Sequence, residues 1–104
     1  MTDSDLLDAL RNCYDPVLHR NVVELGLVQS VALTLDNQAP GANIRGVAPR
    51  FAAHVVLRAP GNDELRNAQL RAQIENLLAG LPEISRSEIE MLPALFPILS
   101  REQV

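Results

Sequence analysis

The sequence predicts an α+β fold, a two-layer sandwich with helices packed on one face of a small mixed sheet. Three observations predict it. Apolar residues recur at helical spacing in two stretches, 1–14 and 63–81. Two further stretches, 28–35 and 51–57, alternate in strand fashion. The resulting order, helix–strand–strand–helix–strand, leaves one sheet face for the helices to cover.

The first helix is expected over residues 1–14. Ser4 is the expected N-cap, Asp5 and Asp8 lie where the helix dipole favours negative charge, and Leu6, Leu7, Leu10, Cys13 and Tyr14 share a stripe. Asp15-Pro16 is expected to stop it, because a residue before proline is biased away from helical ψ. In the strands, Val31, Leu33 and Leu35 share one face, as do Phe51, Ala53, Val55 and Leu57. With no helix between them, the two are expected to pair antiparallel. The fifteen residues 36–50, with Pro40, Gly41, Gly46 and Pro49, are long for a hairpin connection and read as a surface insertion.

The second helix is the strongest element. Leu70, Ile74, Leu77, Leu78 and Leu81 form its stripe, with Arg66, Arg71, Gln73 and Glu75 off it; Asn62 or Asp63 caps its start, and Gly80 or Pro82 marks its end. A third strand is expected at 87–92. The segment 93–104 begins apolar but proline-broken, and is expected to run extended over the domain or a partner subunit. Residues 1–104 are thus read as one domain with an insertion and a tail.

The 104 residues carry thirteen carboxylates against nine cations, a formal charge of −4. All nine cations are arginine. That balance, with three aromatic residues, argues against nucleic acid as a partner, which requires a clustered basic face or stacking platforms. No apolar run approaches a membrane span, and the acidic start lacks the features of a secretory signal, so a cytoplasmic protein without a membrane partner is expected.

Catalytic parts are few. The phosphate-binding glycine loops, the nucleophile elbow and the paired-histidine zinc motif are all missing, so no enzyme is expected. His54 reads as a neutral strand residue, and Glu83, Glu88 and Glu90 as a solvated edge. His19, near Asp15 and Glu24, matches no metal spacing. Cys13, the single cysteine, excludes an internal disulfide and reads first as a small core residue.

One stretch is more specific. Asp15-Pro16, a short spacer, then Asn21-Val22-Val23-Glu24-Leu25-Gly26-Leu27-Val28 resembles the signature of a family of small iron–sulfur assembly domains, the metal–sulfur cluster biosynthesis domains of SufT-like and PaaD-like proteins. The resemblance covers about residues 4–92 by element order. It implies the α+β fold, a functional loop comprising Asp15, Pro16, His19, Asn21, Glu24, Leu25 and Gly26, and work in a SUF-type assembly system. Read without the family, the same residues hold a loop: Asp15-Pro16 and Asn21 suit turns, and Gly26 admits a backbone that a side chain forbids.

The departures bear on mechanism. Family members usually carry a cysteine in the Pro-Gly turn before the long helix, and in Pro60-Gly61-Asn62-Asp63 that position is Asn62. The glutamate usual after Asp-Pro is Val17. No resident cofactor or metal is therefore expected; a transiently held iron–sulfur cluster is what the resemblance allows and the missing cysteine opposes. The expected function is a non-enzymatic adaptor in cluster assembly or metalloprotein maturation, whose partners are assembly factors or apo-metalloproteins. The alternative is a metal-independent interaction module on the same scaffold. A third reading makes Cys13, paired across a homodimer, a cluster ligand, completed by His19 or an external thiol.

Overall fold

The computed structural model describes residues 1–42 and 44–94, and the tail expected beyond Ala94 lies outside the described residues. The elements run α1 (Asp3–Leu10), β1 (Val28–Leu35), β2 (Phe51–Arg58), α2 (Glu64–Ala79) and β3 (Ile84–Leu92). The sheet order is β1-β2-β3, with β1 antiparallel and β3 parallel to β2, so α2 is the crossover of a β–α–β unit. The α+β class, the element order and the mixed sheet all follow the sequence reading.

The alternation in β2 decides which face is covered. Ala53, Val55 and Leu57 are buried, and through the registers Val31↔Val55, Leu33↔Ala53 and Val55↔Ile89 they extend one apolar face across the sheet. Leu6 and Leu10 of α1 and Leu70, Ile74 and Leu78 of α2 close over it. Each of these leucines and Ile74 is fully buried, a contribution of about 1.5–3 kcal/mol apiece. Leu35 has the right parity but lies exposed at the end of its strand.

Three boundaries differ from the sequence reading. α1 ends at Leu10 rather than at Asp15-Pro16, because the Asn12 and Cys13 amides bond three residues back, to Ala9 and Leu10, and tighten the chain out of the helix. Its N-cap is Thr2, not Ser4: the Thr2 hydroxyl accepts from the Asp5 amide at 3.2 Å while the Asp5 carboxylate accepts from the Thr2 amide at 2.8 Å. β3 begins at Ile84 rather than Ser87, since a buried Ile84 pairs with Phe51, and Arg50 donates to the Ile84 carbonyl at 2.8 Å. At α2, Asp63 is the cap, accepting from the amides of Leu65 and Arg66.

The outer strands are met by helix side chains. The Leu33 amide donates to the Asp3 carboxylate at 3.1 Å, and Arg71 of α2 donates to the Ile89 carbonyl. Segment 36–50 is closed at its base: Asp36 is buried and accepts from the Ser85 hydroxyl at 2.6 Å and the Gln38 amide at 3.0 Å. These bonds hold its carboxyl below the ordinary value, with help from Arg86 and Arg50. No helix among the described residues is long and apolar enough to cross a membrane.

Candidate functional site

Residues 11–27 join α1 to β1, and their shape follows from short-range bonds. The Val22 amide donates to the Cys13 carbonyl and the Asp15 amide to the Arg20 carbonyl, with Tyr14 bridged to Asn21, so residues 13–15 and 20–22 form a small antiparallel ribbon. Its tip is the Asp15-Pro16 turn. The Asp15 carboxylate accepts from the Leu18 amide at 2.9 Å, its carbonyl accepts from the His19 amide at 2.9 Å, and His19 takes the left-handed φ of 59° that reverses the chain.

The Asn21-to-Gly26 half is a single helical turn with both ends capped. Asn21 Oδ1 accepts from the Glu24 amide at 2.7 Å, as an N-cap does. At the other end the Leu27 amide reaches the Val22 carbonyl and the Gly26 amide the Val23 carbonyl, with Gly26 at φ 73°. That is the Schellman arrangement, which accounts for Leu-Gly closing the motif. Glu24 pairs with Arg20 at 2.6 Å on the surface.

Two residues of α2 hold this loop to the body. Arg66 Nε donates to Asp15 Oδ1 at 2.7 Å, and Arg66 Nη2 pairs with Asp15 Oδ2. Asp15 is fully buried; the Arg66 bond, then the Leu18 amide, keeps its carboxyl below the ordinary range despite the opposing pull of burial. The guanidinium's own pKa is raised in return, by Asp15 first. One turn pair further along, Gln73 Oε1 accepts from the Tyr14 amide at 2.7 Å while its Nε2 donates to the Tyr14 carbonyl at 2.9 Å.

The sequence reading put Arg66 and Gln73 off the apolar stripe of α2, and the structure turns both toward the loop. The available signal was their phase: 66, 70, 73 and 77 are spaced four, three and four, so both share the stripe of Leu70 and Leu77.

The loop and the Pro60-Gly61 turn are thereby joined. Asn67 Nδ2 donates to the Gly61 carbonyl at 3.0 Å, and Arg66 Nη1 lies 3.8 Å from where a Cβ on Gly61 would stand. Thus Asp15, Pro16, His19, Asn21, Glu24, Leu25 and Gly26 form one structural unit, and Asn62 stands in the turn that this unit rests against. Val17 and Leu18 at the tip are 58% and 53% exposed, Tyr14 is 48% exposed, and Leu65 at the start of α2 is 67% exposed. Large apolar side chains displayed on a well-anchored loop are suited to protein contact.

The donor set for a metal is poor. Cys13 is fully buried in the core, and burial pushes its thiol up to about 11, so at neutral pH it is not the thiolate that a ligand must be. Asp15 is committed to Arg66. Among the described residues no three His, Cys, Asp or Glu side chains converge in a way that could hold a metal ion. On the uncovered sheet face His54 lies 3.7 Å from both Glu88 and Glu90.

No family model and no curated protein matches the chain. Among solved structures it is similar to the crystal structure of a domain of unknown function, DUF59, from Bacillus anthracis, at 20% identity, a TM-score of 0.63, and coverage of 86% of this chain and 73% of that one. At that identity the likeness is one of fold: the chain has the α+β fold of a DUF59 domain.

Proposed function

We propose that this protein is a non-enzymatic adaptor in iron–sulfur cluster assembly or metalloprotein maturation, and that its partner surface is the loop around Asp15-Pro16 with the start of α2. The observation that carries the reading is the construction of that loop. It is tied down by Arg66 and Gln73, yet its tip turns Val17 and Leu18 to solvent. Ordering costs paid within the fold are not paid again on binding, so such a loop favours affinity. The sequence resemblance to the iron–sulfur assembly domains supports this reading, and the fold shared with a DUF59 domain agrees with it. Any cluster is cargo delivered between partners rather than a group this chain ligates, since Asn62 replaces the usual cysteine.

The test is affinity capture from the native cytoplasm with wild-type and Leu18→Asp baits. Leu18 is 53% exposed, so the change falls mainly on the displayed surface, and a melting midpoint equal to wild type checks that the loop keeps its anchoring. Recovery of cluster-assembly factors or an apo-metalloprotein, lost with Leu18→Asp, is the expected result. Recovery of neither, or equal recovery by both baits, overturns it.

The second reading, a metal-independent interaction module, is favoured by Asn62 and by the closure of the Asp15 carboxylate with Arg66. Partners unrelated to metal centres, released by the same Leu18→Asp change, would select it.

A further inference from the structure

We propose that two copies of this chain associate through the open faces of their sheets, the Ile44-Arg45-Gly46-Val47 turn of each seating against Glu88 and Glu90 of the other. The helices cover one face of the sheet, and no described element covers the other. The registers Ala32↔His54, His54↔Glu88 and Val56↔Glu90 place these five side chains together on that open face. Its middle row holds the half-buried Ala52 and Val56, and a groove of about 260 Å³ runs between Thr34, Ala52, His54 and Glu88. Glu88 and Glu90 are 80% and 54% exposed, and among the described residues they face only His54, at 3.7 Å, too far for a hydrogen bond. Carboxylates two residues apart on a strand stand about 6.7 Å apart, a gap that one planar guanidinium bridges with a nitrogen toward each.

The complementary group stands on segment 36–50. The Val47 amide donates to the Ile44 carbonyl at 3.2 Å and Gly46 has φ 86°, a four-residue turn with glycine where a type II turn needs it. Ile44 and Val47 flank this turn at 63% and 46% exposure, and Arg45 stands exposed at its corner. Every other described arginine is held by a carboxylate or a backbone carbonyl. Arg45 meets neither among the described residues. The turn therefore offers two apolar side chains and a guanidinium, and the open face offers an apolar row beside two carboxylates.

A second copy is the occupant because one chain carries both halves of the contact. Within a single copy Glu88 and Glu90 meet His54 and not Arg45. With open faces together about a two-fold axis, each copy gives one Arg45 and receives one, so the contact is isologous and closes at two. These ion pairs offset the repulsion between two chains of formal charge −4, and they weaken as salt screens them. None of this surface belongs to the Asp15-Pro16 loop, so the dimer is independent of the adaptor role.

The test is sedimentation velocity of the full chain from about 10 μM to about 1 mM at low salt, a range that reaches weak interfaces. Wild type should pass from monomer to dimer within it. Arg45→Glu should raise the dimer Kd about tenfold or more, and Glu88→Arg with Glu90→Arg should do the same, because each sets like charges together. All three changes in one chain should restore the dimer to within about threefold of wild type, since the pairing is then reversed in sign. Arg45→Gln, which removes the charge alone, gives a smaller rise and serves if glutamate disturbs the turn. A chain monomeric throughout, its open face then left to a basic partner protein, overturns the proposal. So does a dimer untouched by both Arg45 variants, or a triple variant that stays dissociated.

Discussion

Arg66 on α2 grips both carboxylate oxygens of Asp15, a residue 51 positions away in the chain, and the carboxylate is wholly buried while the guanidinium side chain is 17% exposed. This asymmetry makes the two partners unequal. Arg66→Ala removes two charge-assisted bonds from a carboxylate that Arg66 itself helps to cover, and should cost about 2–3 kcal/mol. Asp15→Ala should cost less, because the freed guanidinium retains a path to water. Urea unfolding of both single variants and the double variant measures this, and the double variant should recover part of the Arg66→Ala loss.

Acid sensitivity follows from the same carboxylate and from Asp36. Both have folded pKa values below the ordinary range, Asp15 through Arg66 and Asp36 chiefly through Ser85. The unfolded chain therefore takes up protons first as pH falls. Their stabilisation is complete above about pH 4–5 and is lost as pH drops through the folded values. The urea midpoint should hold steady from neutral pH to about 5 and then fall. Ser85→Ala, which removes the largest cause at Asp36, should make that fall shallower.

At the alkaline side Cys13 acts with the opposite sign. Its folded pKa of about 11 exceeds the ordinary thiol value of 9.0, so above pH 9 the unfolded chain sheds a proton that the native one keeps. Stability should decline between pH 9 and 11 in wild type, and the part due to Cys13 should vanish in Cys13→Ala. The native thiol should also react with a disulfide reagent at neutral pH only at the rate of unfolding.

The motif's last glycine is a conformational requirement and not a packing one. Gly26 has φ 73°, yet a Cβ there would meet nothing within 4 Å. Gly26→Ala should therefore cost about 1–2 kcal/mol from backbone strain alone, and Gly26→Asn less. Thermal melts of the two variants distinguish strain from a steric clash, which would penalise asparagine more.

Much of the fold was legible because burial writes a period into the chain. The alternation from Phe51 to Leu57 and the stripe Leu70-Ile74-Leu78 each record one covered face. The loop was legible in part: Asn21 and Gly26 act within their own turn, where local bonds suffice. The end of α1 was not, because helical periodicity runs on through Cys13 and Tyr14 although their backbone has already left the helix. Cys13 still points into the core, so its polarity gave no sign of the break.

By itself the sequence determined the α+β class, the strand faces, the caps available to α2 and the turn chemistry of the Asp-Pro to Leu-Gly loop, since each depends on side chains within a few residues of one another. Tertiary structure alone decided that Arg66 and Gln73 anchor the loop, that Asp15 is a buried ion-pair partner instead of an open ligand, and that Val17 and Leu18 remain on the surface. The reason is that pairing a charge across 51 residues depends on which faces two elements bring together, and a charged side chain looks the same in sequence whether it meets water or a buried carboxylate.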